Sequence, residues 1–415
     1  MIVNKTYEID SCDDVELGIK RESKLEFKLW YDDEKSPEAL VFIVQGLGAD
    51  CNDIHLNFII ESLSKNFNVA FVGVNYHCIG NRPQTGSTFF IDDIDKLILK
   101  TSCEAVDIKL PFEVDKIQNY EQMSEIFHFI NYSIVQGKQE GRFSPQFFLN
   151  LHVSIQPTKN EYQNFGVMQA QDLLNVVLYL KTHAPFDTMR QNIPVIMIGG
   201  SHGGYLAHLA AKFAPWLIDG VIDNSSGAKF LWRVVGFGKE IDFMQYAEFS
   251  TFDFFHHIKT HCSTKTFWTS NSASPNFFSP ARRKIRNILE KDQLQNQAKY
   301  TKTHFVSYHS LKDEYVSLEE KIEFYKALSN LGFDANLNSI TKESQIDGKF
   351  IKNLSHGMGI PMKLLIKKEL SKMLEKIKQN PKEDYKEKCV FYPCEDLIYY
   401  FSEKDNKINL DITKI

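Results

Sequence analysis

The sequence predicts an α/β fold, a mostly parallel sheet with helices on both faces, interrupted by two large insertions. Three observations predict it. Short apolar runs alternate with stretches of helical periodicity. The connections between successive runs are of helical length, as parallel neighbours require. Hydrophobic residues make up 43% of the 415 residues, enough for a sizeable core.

The elements follow in order. Residues 7–9 and 25–31 read as strands of an antiparallel edge. Residues 39–44 form a short apolar strand ending in Gln45-Gly46-Leu47-Gly48, with a helix predicted over 53–65 and a strand over 69–74. Residues 167–182 carry apolar side chains at three- and four-residue steps, an amphipathic helix. A buried strand at 194–198 leads into a small-residue helix at 203–213. Further strands are predicted at 217–222 and 304–308. Ser317 opens a helix to about residue 330, with Glu320 placed to complete a capping box. The last long helix spans 361–377. No repeat of fixed period occurs.

Two stretches break the alternation, and both are long enough to be lids or binding elements. Residues 78–165 hold Asp- and Lys-rich segments and a predicted helix near 120–132. Residues 226–300 are rich in Phe and Trp and end in a helix opened by Ser279-Pro280. The predicted organisation is a core domain over 1–380 with these insertions, then a small β extension over 381–415.

Lys and Arg number 48 against 53 Asp and Glu, a formal charge of −5, which offers no electrostatic footprint for nucleic acid. Seven scattered cysteines, an odd number, fit free thiols in a reducing compartment. No basic region followed by an apolar stretch opens the chain, and no apolar run nears the roughly 20 residues that span a bilayer. The expectation is a cytoplasmic protein with no membrane partner; the oligomeric state stays open.

The residues that carry chemistry centre on Ile198-Gly199-Gly200-Ser201-His202-Gly203-Gly204-Tyr205. A Gly-x-Ser-x-Gly pattern alone is weak. Between a buried strand and a small-residue helix it has the setting of a nucleophile elbow, where the serine sits on a strained turn that bulkier neighbours would obstruct. A serine hydroxyl is hardly ionised at neutral pH and needs a base. His356, in the Gly-flanked loop Asn353-Leu354-Ser355-His356-Gly357-Met358-Gly359, has the required late position. The orienting acid should follow the strand 304–308, where Asp313 is preferred and Glu314 is its rival. The oxyanion hole is assigned to the backbone N–H groups of His202 and Leu47. The His202 side chain itself reads as packing or rim.

Two lesser features stand beside these. His257 and His261 are one helical turn apart, as in metal sites, but lack the glutamate of the zinc protease motif, so neither metal nor cofactor is expected. Arg282, Arg283, Lys284 and Arg286 form a basic run that reads as a solvated helix face, or as a carboxylate or phosphate holder if it faces the cleft.

The motif Gly199-Gly200-Ser201-His202-Gly203-Gly204 resembles the nucleophile motif of the prolyl oligopeptidase and acylaminoacyl peptidase group within the α/β-hydrolase superfamily. So do the Ser-Pro helix start, the acid loop 309–316, a helix ending at Gly332 and the His356-Gly357 pair. The resemblance spans about residues 39–377 and implies an α/β-hydrolase fold with a Ser201, Asp313, His356 triad. Departures are Ser310 where that group has glycine, Gln45 where many relatives have histidine, and no segment fitting its N-terminal propeller. The chain also looks like an uncharacterised bacterial family of hydrolase-like proteins sometimes found near flagellar or surface-glycan genes.

The expected function is a serine esterase that cleaves a short acyl ester through an acyl-enzyme, with O-acetyl on a sugar as the narrower expectation and a small-molecule or glycan ester as partner. An aromatic and polar insertion motivates the sugar, with Asn271, Ser272, Ser274 and Asn276 beside Phe277 and Phe278. Trp232, Phe237, Phe252, Phe254, Phe255 and Trp268 are expected either to cover the nucleophile as a lid or to form the insertion's own core. Acyl transfer by the same triad, peptidase activity and an idle binding protein on a hydrolase scaffold stay open as alternatives.

Overall fold

The computed structural model describes residues 1–186, 193–231, 236–246, 250–300, 303–382 and 385–415. Eight strands make the main sheet: β1 (Ile2–Ile9), β2 (Leu25–Asp32), β3 (Leu40–Val44), β4 (Ala70–Asn75), β7 (Val195–Gly200), β8 (Gly220–Asn224), β11 (His304–Ser310) and β12 (Ala335–Ile340). Between them in sequence fall β5 (Thr88–Phe90), β6 (Leu149–Gln156), β9 (Ser250–Phe255) and β10 (Ile258–Thr264). After them come β13 (Cys389–Cys394), β14 (Leu397–Lys404) and β15 (Lys407–Lys414).

The main sheet runs in the order β1-β2-β4-β3-β7-β8-β11-β12. The pairs β1/β2 and β2/β4 are antiparallel; every pair from β4 to β12 is parallel. That order and sense are those of the α/β-hydrolase fold, as expected. The strands β3, β4 and β8 are buried along their whole length, the continuous apolar reading of a sheet covered on both faces. One core lies between the sheet and the helices Val167–His183 and His202–Phe213. A second lies on the other face, under the helices Ile54–Ser64 and Met362–Gln379.

Local differences from the sequence reading have local causes. Residues 217–219 are not strand; β8 begins at Gly220, and the Asp219 carboxylate accepts the Val195 N–H (2.8 Å). The Ser317 hydroxyl accepts the Glu320 N–H (3.3 Å), but the predicted capping box is not completed by Glu320, whose carboxylate takes Lys229 Nζ instead (3.1 Å). The C-terminal stretch is a three-stranded sheet, β13-β14-β15.

The chain divides into two compact units. One comprises residues 1–79, 164–230 and 279–415, the other 80–163 and 231–278. The second unit draws both insertions into one sheet, β5-β6-β10-β9, because β10 pairs in parallel with β6. Its own apolar cluster includes Leu99, Ile126, Phe127, Ile130, Leu151, Val153 and Cys262. Among the described residues no helix is long and apolar enough to cross a membrane.

Candidate active site

The site is built at the ends of adjacent parallel strands. Ser201 follows β7 directly and opens the helix His202–Phe213. Its backbone has φ 52° and ψ −123°, a left-handed conformation that costs a non-glycine residue about 1–3 kcal/mol and persists only where its surroundings enforce it. The glycines of the motif show the enforcement. A Cβ on Gly203 would lie 2.1 Å from the Val44 carbonyl oxygen, and one on Gly199 would lie 2.4 Å from the carbonyl carbon of Gly203. Only bare backbone lets the turn close this tightly against β3. The Ser201 N–H is held by the Asn224 carbonyl at 2.8 Å.

The structure brings the three predicted side chains together. Ser201 Oγ lies 2.8 Å from His356 Nε2, and His356 Nδ1 lies 2.9 Å from both carboxylate oxygens of Asp313. Asp313 is buried, and its Oδ1 also accepts the N–H groups of Tyr315 and Val316, each at 3.0 Å. Burial pushes this carboxyl upward, but the His356 contact and the two backbone donors outweigh it, so its pKa is lowered. An ionised carboxylate only accepts, so Nδ1 donates to it. Nε2 is then left to accept the serine proton.

Glu314, the rival acid, is engaged elsewhere and accepts the backbone N–H of His356 at 3.0 Å. The turn after β3 emerges beside the elbow, because Val44 pairs with Gly199 and a Cβ on Gly46 would lie 3.4 Å from the Gly200 carbonyl. That places Leu47 in the neighbouring loop and the His202 N–H in the first turn of the elbow helix, where N–H groups have no intrahelical acceptor. The His202 side chain, read as packing or rim, is half-buried. Its Nε2 lies 3.1 Å from Gln169 Oε1, and burial pushes its pKa down to about 4.

Sequence reasoning missed the polar group beneath the elbow. The Asp223 carboxylate, at the end of β8, meets His208 Nε2 (2.6 Å), Lys321 Nζ (3.0 Å), Ser307 Oγ (3.0 Å) and the Tyr325 hydroxyl (3.2 Å). Burial alone would raise its pKa; Lys321 and His208 prevail and lower it. An acidic residue in the otherwise apolar run Val221-Ile222-Asp223 was the available signal. His309 was also missed: buried under the acid loop, it brings Nε2 to 3.7 Å from Asp313 Oδ2.

The two lesser features resolve structurally. His261 lies on β10 and His257 just before it, so their spacing is extended and not that of one helical turn. His261 Nε2 meets Asn150 Oδ1 at 3.0 Å and His257 Nδ1 meets Lys138 Nζ at 3.1 Å. In the basic run, Arg286 is buried in an ion pair with Glu16 and so is not part of a solvated face, whereas Lys284 is partly exposed and pairs with Asp292 at 2.9 Å. Trp232, and the side chains of Phe252 and Phe254, lie outside the described residues. Phe237 packs on Phe278 (4.8 Å between rings), Trp268 packs on Phe278 (5.4 Å) and Phe255 packs on Phe127 (6.1 Å), all within the second unit.

Among solved structures, the chain is similar to the acylaminoacyl peptidase of Pyrococcus horikoshii, with 13% identity and a TM-score of 0.45 over 92% of this chain. It spans 43% of that peptidase's length. It is also similar to Est1E of Butyrivibrio proteoclasticus with ferulic acid bound (15% identity, TM-score 0.42, covering 86% of this chain and 96% of that one). A third is the esterase Pf2001 of Pyrococcus furiosus (13% identity, TM-score 0.41, covering 91% and 93%). No curated protein matches the chain. The chain belongs to the family described as Protein of unknown function (DUF2920), whose profile matches residues 5–412.

Proposed function

We propose that the protein is a serine hydrolase that cleaves a short acyl ester. The observation that carries the reading is a strained Ser201 whose Oγ lies 2.8 Å from His356 Nε2, with that ring backed by the buried Asp313. In the mechanism, Ser201 Oγ attacks the ester carbonyl carbon and its proton passes to His356 Nε2. The tetrahedral oxyanion is held by the N–H groups of His202 and Leu47. The carbon–oxygen bond to the alcohol breaks and His356 returns the proton to the leaving oxygen. Water repeats the sequence on the acyl-enzyme and releases the acid. Asp313 stays ionised throughout and stabilises the imidazolium.

The surroundings of the elbow are polar: the Tyr76 hydroxyl donates to the Gln45 carbonyl (2.8 Å), the Tyr76 and His202 rings stand 6.3 Å apart, and the Asn224 carbonyl accepts the Ser201 N–H (2.8 Å). The narrower reading is O-acetyl on a sugar. Part of its motivation is lost, since Phe278 is committed to packing within the insertion.

The test is fluorophosphonate labelling followed by p-nitrophenyl esters of increasing length and acetylated sugars. Labelling and turnover should appear in the wild type and vanish in Ser201→Ala, with the fold intact. Turnover should peak at acetyl or propionyl. A long apolar pocket would instead gain up to about 0.8 kcal/mol per methylene, so a steady rise through octanoyl overturns the short-acyl reading. Products that form only with an added alcohol acceptor would make the protein an acyltransferase.

A further inference from the structure

We propose that Asn224 and Ser225, at the end of β8, are positioning residues that hold the base loop in register with the nucleophile; the proposal rests on the hydrolase reading of that site. Three backbone groups of the two loops converge on this dipeptide. The Asn224 carbonyl accepts the Ser201 N–H at 2.8 Å. The Asn224 side-chain amide donates to the Gly357 carbonyl at 2.9 Å. Ser225 Oγ accepts the Gly357 N–H at 3.0 Å. The residue after His356 is therefore gripped on both its donor and its acceptor, by the dipeptide whose Asn224 also anchors the nucleophile's backbone.

The grip is itself oriented. The Ser225 hydroxyl donates to Asn224 Oδ1 at 3.3 Å, which points the amide nitrogen at Gly357 and leaves a hydroxyl lone pair for the Gly357 N–H. The Ser225 N–H is tied to the Tyr308 carbonyl of β11 at 2.9 Å. Ser225 holds φ 59°, a strained value for a non-glycine residue, and is wholly buried. A plain connecting turn would be served more easily by glycine. A serine there keeps the hydroxyl that the base loop needs.

The loop requires such a hold. Gly357 and Met358 both have positive φ, 74° and 54°, so His356 sits at the head of a tight left-handed turn that local propensity does not favour. Glu314 holds the His356 N–H from one side, and Asn224 and Ser225 hold the following residue from the other. A shift of about 1 Å in a reacting group costs on the order of 10²-fold in rate, so a clamp of this kind sets kcat more than substrate affinity.

The test compares Asn224→Ala, Asn224→Asp, Ser225→Ala and the Asn224→Ala/Ser225→Ala pair with the wild type, in the full chain. Asn224→Asp keeps the shape but sets a carboxylate against the Gly357 carbonyl. Three readouts are taken on variants whose thermal midpoint stays close to wild type: the fluorophosphonate labelling rate, steady-state kcat and KM on a p-nitrophenyl ester, and the far-downfield proton resonance of His356 Nδ1–H, assigned by its loss in Asp313→Asn. We expect labelling to slow on the order of 10²-fold in the pair. The drop should fall on kcat with KM nearly unchanged, and the Nδ1–H resonance should broaden or disappear. Wild-type labelling rate and an unchanged resonance in all four variants overturn the clamp and leave the hydrolase reading standing. No labelling in the wild type, with a His356 resonance that the variants abolish, overturns the hydrolase reading and leaves the clamp standing.

Discussion

Asp313 and Glu314 are adjacent carboxylates with different surroundings, and in the proposed reading the difference makes Asp313 the orienting acid. Asp313 is buried with His356 and two backbone donors around it; Glu314 reaches out to one backbone N–H. Asp313→Asn keeps the shape but offers a donor to Nδ1, which favours the wrong tautomer of His356. It should lower kcat by on the order of 10⁴. Glu314→Gln retains an acceptor for the His356 N–H and should change kcat little. Steady-state kinetics on a p-nitrophenyl ester decides, and the reverse ranking would make Glu314 the acid. At this scale Ser201, His356 and Asp313 were legible because each stands in a strand-to-loop context that few other residues of its type share. His309, Asp223, Asn224 and Ser225 were not. Their importance lies in partners 4 to 133 positions away, which no local pattern encodes.

The elbow shows how a segment of sequence and its packing specify one another. The strand β7, the strained serine and the small-residue helix belong to one continuous run, so strand, turn and helix could be read in order. What the run does not state is the surface it meets. Gly203 faces the Val44 and Gln45 carbonyls, from a strand that lies some 160 positions earlier but pairs directly with β7. Gly203→Ala would put a methyl group 2.1 Å from a carbonyl oxygen in backbone that has no rotamer with which to yield. We expect a loss of at least about 3 kcal/mol, well above the typical point mutation. Gly200→Ala should be mild at its Cβ, whose nearest such neighbour is 3.7 Å away. Thermal melts of the two variants test this, and equal midpoints would show that the elbow relaxes around the added methyl. The edge strand β12 went unread at this scale. Its sequence Ala335-Asn336-Leu337-Asn338-Ser339-Ile340 is only partly buried and lacks an apolar run, because an edge strand packs less.

Across the whole chain, the last strands are attached to the elbow helix. Phe401 stacks on Phe213 with rings 4.1 Å apart, and the Tyr392 hydroxyl donates to the Lys212 carbonyl. Lys212 is buried there. Its ammonium donates to the Ile285 carbonyl (2.6 Å) and the Asn287 carbonyl (2.7 Å) and lies over the Tyr392 ring. Burial pushes its pKa down to about 7 from an ordinary 10.5. Between those values the unfolded chain carries a proton that the folded chain has lost. Raising the pH strips it from the unfolded chain, so this residue's contribution to stability rises with pH across that window and is flat below about 7. The stability of the wild type minus that of Lys212→Met should therefore grow as pH is raised from about 7 toward 10.5, read as the difference in Tm. A constant difference would show that the buried lysine stays charged.

The alternation of apolar runs, the order Ser…Asp…His and the glycines around Ser201 were enough to establish an α/β-hydrolase fold and to name the three residues that meet. These are properties of short segments and of their order, and backbone sterics and periodic burial write them into the sequence directly. Only the tertiary structure decided the rest. It joined the two insertions into one sheet through the parallel pairing of β6 with β10, placed Arg286 in a buried ion pair rather than on a solvated face, and set His257 and His261 in extended geometry. It also gathered Asp223, Asn224 and Ser225 around the site. Each of these depends on which distant segment supplies a partner for a buried polar group. That pairing is settled by packing over the whole chain, because an unpartnered polar group inside a core costs more than any local preference can offset.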